Sequence, residues 1–317
     1  MAKQKVIKNN KFKNAFKIAA AALCAAAIVA IVIITGRENA DKAEKTLNTT
    51  VMGTTASVTV YGRNGSDIID DIMDLENDLD EKVISWRADG SEVWNINHSY
   101  KAGEDYQISD ELADVLKRTL EISEDNGDLL DITIRPLAEV WGIESGSTNV
   151  PSQTDIDAAL SDVDVTQVTC ISAKNSSDGK SYVNIAREGM SLDFGAVGKG
   201  YGCDVAADYL EETSVTGACV ALGGSIMVYG SKSDGSDWKI GVKDPRAGEG
   251  SIMGVISAKG GETLFVSTSG DYEKYFEKDG KRYHHILDPK TGYPAWKHTI
   301  AATVVCDNGL LSDALST

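Results

Sequence analysis

Three stretches of this chain carry side chains suited to chemistry on a phosphorylated substrate. The first is the segment from Asp193 to Asp204, DFGAVGKGYGCD. Gly195, Gly198, Gly200 and Gly202 let the backbone turn tightly and approach a ligand closely. Lys199 adds a cation, and a helix starting here would aim free N–H groups at a phosphate. A phosphate cradle is the chemical expectation; a plain glycine-rich strand-to-helix turn is the alternative. The segment is not a Walker A loop, because Asp193 and Gly200 stand where that motif needs Gly and Ser or Thr. Cys203 likewise stands where a dinucleotide fingerprint needs its third Gly.

The second stretch is STSGDY, Ser267 to Tyr272, followed by YHHILDPKTGYP, Tyr283 to Pro294. Clustered hydroxyls before a Gly suggest a binding turn, and Asp288 to Gly292 has turn chemistry. His284 and His285 fall on an expected strand, so one can point at a site while the other points away. The third is SDALST, Ser312 to Thr317. On a helix Asp313 and Thr317 share a face. A carboxylate plus a hydroxyl is oxygen-only ligation, which suits Mg²⁺ beside phosphate and water. An exposed polar helix end is the alternative.

These segments need elements to position them. Residues 57–61 alternate as a strand, and 66–83 carry apolar side chains at helical spacing with an acidic outer face. Ser109 caps an expected helix that includes Leu112, Val115, Leu116 and Leu120. Strands are expected at 165–172, 181–187, 218–222, 226–229, 238–242, 252–256, 263–267, 282–287 and 300–306. Helices are expected at 200–212 and at the chain's last residues. Runs of strands with short polar links predict α+β architecture, with largely antiparallel sheets flanked by helices. Leu310, Leu311, Ala314 and Leu315 end without a helix stop signal, which suggests that a final helix and strand are missing.

Charge is uneven along the 317 residues. Residues 1–17 carry six Lys and no acid, and read as a basic cytoplasmic tail. Residues 18–35 carry no charge; as a helix they would be roughly 27 Å long and would form a transmembrane anchor. A cleaved signal peptide and a lipid-modified Cys24 are the alternatives. Residues 36–50 read as a stalk, and 51–317 as one domain. Together these predict a single-pass protein of the cell membrane with its main domain outside the cytoplasm. Taking six Lys from the chain's 31 basic residues leaves 25 against 48 acidic ones, a balance that argues against nucleic acid as partner. Cys170, Cys203, Cys219 and Cys306 have no metal-site spacing and read as buried apolar residues, with any of three disulfide pairings as the alternative.

Taken in order, eight segments make the chain resemble the ApbE family of bacterial FAD:protein FMN transferases. They are Met52 to Thr54; Val83 to Trp86 with Ser91, Glu92, Asn95 and Asn97; Leu130 to Thr133 with Pro136, Leu137, Trp141 and Gly142; Asp193 to Asp204; Leu222 to Gly224; Ser267 to Tyr272; Tyr283 to Pro294; and Ser312 to Thr317. The resemblance implies FAD as substrate, Mg²⁺ as metal, and an exported flavoprotein with a target Thr or Ser as partner, with AMP released. It places Met52, Trp86, Leu129, Leu130, Asp131, Asp193, Lys199, Gly223, Gly224 and Ile286 at the FAD. It places Ala196, Asp313, Ser316 and Thr317 at the metal. His285 would accept the acceptor's proton, with Lys199 and Asp313 as further catalytic groups. Trp86 stands where the family usually has Tyr, and the family's last segment does not follow Thr317. An Mg²⁺-dependent FAD pyrophosphatase and a non-catalytic FAD-binding protein are the alternative functions.

Overall fold

The structure is a computed structural model, and it describes residues 43–248, 250–296 and 298–317. The expected basic tail and membrane anchor lie outside the described residues. Among the described residues, no helix is long and apolar enough to cross a membrane.

The chain opens with β1 (Glu44–Val51), β2 (Thr54–Tyr61), α1 (Gly65–Asp78) and a π-helical continuation (Leu79–Ile84). Next come α2 (Glu92–Ser99), β3 (Asp105–Ile108), α3 (Asp110–Asp125), α4 (Arg135–Trp141) and α5 (Gln153–Leu160). The middle holds β4 (Val168–Ile171), β5 (Ser181–Ile185), α6 (Gly198–Glu211), β6 (Gly217–Leu222) and β7 (Ser225–Gly230). It ends with β8 (Trp238–Lys243), β9 (Ile252–Ala258), β10 (Leu264–Gly270), β11 (Tyr275–Lys278), β12 (Lys281–His284), β13 (Ala301–Cys306) and α7 (Gly309–Ser316).

Six strands form one antiparallel sheet in the order β1-β2-β6-β7-β10-β13. Its face toward α1 and α6 buries Val58, Val60, Val220, Leu222, Met227 and Phe265 against Ile69, Ile72, Ala206 and Leu210. The opposite face carries the β8–β9 ribbon through Trp238, Ile240 and Ala258, packed on Val228 and Val266. A second core joins α2 and α3 to the small sheet β3-β5-β4. A third joins α4 and α5 to the β11–β12 hairpin around Trp141. The α+β class and the antiparallel pairing match the expectation.

The stalk expectation needs correction from Glu44 onward. That stretch pairs along the whole of β2 as an edge strand of the main sheet. Seven of its eight residues are exposed, so it has no alternating burial to mark it as a strand. Met52 and Gly53 close the β1–β2 hairpin, both with positive φ, 52° and 68°. That pair of angles is the type I′ hairpin turn. Met52 pays a strain for it, and its N–H is held by Asp80 Oδ2 at 3.0 Å.

Among the described residues, Cys170, Cys203, Cys219 and Cys306 are unpaired thiols, Cys203 buried as expected and the others half-buried. Near Cys203 sits the most unusual group of the main core, Glu76. It is fully buried, and neither carboxyl oxygen has a hydrogen-bond partner. Burial pushes its pKa up to about 8. A carboxyl raised on folding stays protonated in the native chain while the unfolded chain ionises above about pH 4.3. Stability therefore falls as pH rises between about 4.3 and 8, by up to roughly 1.4 kcal/mol per pH unit from this residue. Glu76→Met is expected to remove that slope and to be more stable than the parent at pH 7. Urea unfolding of both proteins at pH 5, 6 and 7 measures it; equal slopes would show that Glu76 has found a partner.

Candidate active site

The three cores meet around a cleft of about 540 Å³. One wall is the turn before α6. Asp193 Oδ1 accepts from Gly195 N–H at 2.8 Å, a local ring that bends the chain into the helix. The helix starts at Gly198, two residues before the expected boundary, so Lys199 and Gly200 lie in its first turn. A cation there opposes the positive end of the helix dipole. Asp313 compensates: its Oδ2 lies 3.3 Å from Lys199 Nζ and accepts from Gly200 N–H at 2.9 Å. Lys199 Nζ also donates to the Gly195 carbonyl at 3.0 Å.

Two glycines allow that meeting. A Cβ on Gly200 would lie 2.2 Å from the Gly309 carbonyl oxygen, and one on Gly309 would lie 2.2 Å from that of Gly200. Both are impossible contacts, so α6 and α7 cross this closely only without side chains. Asp204 on α6 then accepts from the N–H groups of Gly309 and Leu310 at the start of α7, where a carboxylate complements the helix dipole. Arg118 pairs with the same carboxylate at 2.6 Å.

The second wall corrects an expectation. The STSG hydroxyls are not a turn but part of strand β10. Alternation turns Ser267 and Ser269 toward α7 and Thr268 toward Thr303. Ser267 Oγ meets Ser312 Oγ at 2.8 Å, and Ser269 Oγ meets Ser316 Oγ at 2.9 Å. The match is geometric: two strand residues advance about 6.7 Å and four helix residues about 6 Å. Ser269 Oγ also lies 3.0 Å from Thr317 Oγ1.

The floor and rim come from further segments. Met52, Trp86, Leu129, Leu130, Asp131, Asp193, Ala196, Lys199, Gly224, His285, Ile286 and Thr317 all line the cleft. Gly223, Asp313 and Ser316 do not. Gly223 instead needs its positive φ of 56° and its lack of a side chain, because a Cβ would lie 2.6 Å from Thr54 Oγ1. Asp313 is buried just behind the wall and reaches it through Lys199 and the turn. Asp131 lines the cleft, yet its carboxylate oxygens accept from Thr133 and from Val165 N–H at 3.0 Å, so it folds its own loop.

His285 follows the last residue of β12 and faces the cleft, whereas His284 is buried on the other side of the hairpin. His285 Nδ1 lies 3.3 Å from the Lys274 carbonyl, which can only accept. The neutral ring's proton therefore belongs on Nδ1, and Nε2 keeps its lone pair. Burial, and then the Lys274 ammonium, pull this imidazole down to about 4. Lys274 in turn binds Glu144 at 2.8 Å. Burial alone would raise Glu144, but that ammonium outweighs it and holds the carboxyl below its usual range.

Reasoning from sequence missed Glu144, Lys274, Arg87 and Arg135. Arg87 lines the cleft and its guanidinium carbon lies 4.8 Å from the Trp86 ring centroid. No spacing in the sequence links these residues to the site. Ser269 was legible as part of the hydroxyl run, though not its bond to Thr317.

The expected metal donors are a carbonyl, one carboxylate and hydroxyls, an all-oxygen set that fits a hard divalent cation. The local field agrees, because the Gly195 carbonyl and Asp313 already hold an ammonium between them. The Asp313 contacts with Gly200 and Lys199 both fall on Oδ2. Among the described residues, no group of three or more His, Cys, Asp or Glu is arranged as a metal site.

An α+β domain whose cores close on a ligand-sized cleft is thus the class of protein that fold and site define. The model of the ApbE family matches residues 52–317, and the chain belongs to that family. It is 32% identical over 243 residues to a Klebsiella pneumoniae protein named FAD:protein FMN transferase, covering 75% of this chain and 70% of that one. The crystal structure of the ApbE protein of Thermotoga maritima superposes with a TM-score of 0.76 at 31% identity, covering 86% of this chain and 85% of that chain. The apo flavinyl transferase ApbE of Pseudomonas stutzeri gives a TM-score of 0.72 at 28% identity, with 86% and 83% covered.

Proposed function

We propose that this chain is an FAD:protein FMN transferase. It takes FMN from FAD, places it on a Thr or Ser hydroxyl of an exported flavoprotein, and releases AMP. The acceptor oxygen forms a bond to the FMN phosphorus as the anhydride bond to AMP breaks. The hydroxyl proton goes to His285 Nε2, and AMP leaves with the bridging oxygen. The observation that carries this reading is the meeting of Lys199, Gly200 and Asp313 in the wall of a cleft that Thr317 and His285 also line.

Each residue has a task in that reaction. Lys199 faces the diphosphate and stabilises its charge, whereas the Gly198 and Gly200 N–H groups are taken by the Phe194 carbonyl and by Asp313. The neutral imidazole of His285 serves as base at physiological pH, a role typically worth about 10²–10⁴-fold. Trp86, Leu129, Leu130 and Ile286 offer apolar surface to the flavin and adenine rings. The Ala196 carbonyl, Asp313 and Thr317, with Ser316 beside them, would hold Mg²⁺. When bound, that ion would neutralise phosphate charge and stabilise the leaving AMP. The uncharged run at 18–35 supports a single membrane anchor, with the catalytic domain outside the cytoplasm where exported acceptors fold.

The test is direct. The protein is mixed with FAD, Mg²⁺ and a candidate acceptor, and AMP and acceptor mass are measured. An acceptor heavier by one FMN less a water, the mass of the phosphoester-linked group, with equimolar AMP, is expected. AMP without an adduct would make the chain a pyrophosphatase, and FAD binding without AMP would make it a carrier.

A further inference from the structure

Arg135 opens α4, is nearly buried, and does not line the cleft. Its guanidinium carbon nevertheless lies 3.1 Å from the centroid of the Trp86 ring. Its Nε donates to Glu139 Oε1 at 2.9 Å, and its Nη1 lies 3.8 Å from Asp193 Oδ2. Trp86 and Asp193 both line the cleft, from segments far apart in the sequence. The guanidinium therefore lies over the indole ring from outside the cleft lining, while one edge reaches the neighbouring carboxylate. A planar cation is suited to this double duty, stacking with its face and pairing with its rim. Lysine would keep the charge and lose the plane.

We infer that Arg135 is a positioning residue that fixes the Trp86 ring and the Asp193 carboxylate from behind as one wall of the FAD site. The inference rests on the proposed function for the identity of the ligand. Arg135 touches no substrate atom in this arrangement. It acts by removing the freedom of two groups that would otherwise have to be ordered when FAD binds. Its loss should therefore weaken FAD binding and leave the chemical step nearly alone.

The protein and its Arg135→Gln, Arg135→Lys, Trp86→Leu and Trp86→Leu/Arg135→Gln variants test this. FAD binding is followed by flavin fluorescence, and FMN transfer by AMP release. Arg135→Gln is expected to raise the FAD Kd and KM about tenfold with kcat within about threefold. Arg135→Lys should fall between it and the parent. The double variant should lose less than the two single losses combined, because Arg135 acts largely through the ring. Unchanged FAD binding in Arg135→Gln, or fully additive losses, overturns the inference. Should Arg135→Gln not fold, Arg135→Lys decides by the same measure: weaker binding supports the role and unchanged binding overturns it. Binding is read without turnover, so a protein that binds FAD yet transfers nothing sinks the proposed activity while the Arg135 comparison still decides. A parent protein that does not bind FAD overturns both.

Discussion

Asp313→Asn is expected to lower FMN transfer by about 10³-fold or more, with FAD binding much less affected. The substitution keeps the side chain's shape, and an amide oxygen can still accept from Gly200 N–H. What it removes is charge. Lys199 loses its counter-ion at 3.3 Å, and the proposed Mg²⁺ site loses its one carboxylate. A Lewis-acid cation supplies several kcal/mol at a phosphoryl centre, and about 4 kcal/mol corresponds to roughly 10³-fold in rate. The measurement is AMP release at saturating FAD with and without added Mg²⁺. The parent should respond to the metal and Asp313→Asn should not. A variant keeping more than a tenth of the parent's rate would remove Asp313 from the catalytic set.

His285→Ala is expected to cost about 10²–10⁴-fold in transfer, the usual worth of a positioned base. Its pH profile separates a base from a merely structural residue. The imidazole is pulled to about 4 by burial first and the Lys274 ammonium second, with Glu144 opposing. A depressed imidazole is neutral, and competent as base, above that value and protonated below it. The acid limb of kcat/KM should thus fall near pH 4, leaving a plateau through pH 5 to 7. Lys274→Met removes one depressing charge and breaks the pair with Glu144, so the limb should move to higher pH. A limb that stays in place, or a His285→Ala protein with the parent's rate, would assign the proton to another group.

Much of the fold was readable because its elements carry local marks. The α3 helix begins where Ser109 caps it, with the Leu112 N–H donating at 3.0 Å, and its apolar residues repeat at helical spacing. The strands β6, β7 and β10 announce themselves through buried β-branched and apolar runs bounded by glycines. The edge strand β1 does not, because exposure on both faces leaves no alternation to see. Helices α2, α4 and α5 were missed for a related reason: each is eight residues or fewer, too short for a periodic pattern to emerge.

The ordered motifs from Met52 to Thr317 were enough to establish kinship and to name most cleft residues, since those residues lie in contiguous runs with recognisable spacing. Three things required the folded chain. The hydroxyl ladder between β10 and α7 depends on a strand and a helix lying side by side with matched repeats. The depressed imidazole of His285 depends on burial and on Lys274 and Glu144 arriving from separate segments. The backing of Trp86 by Arg135 depends on where α4 packs. Local spacing encodes which groups share a helix face or a turn. Contacts between distant segments, and the dielectric they create, exist only once the cores have closed around them.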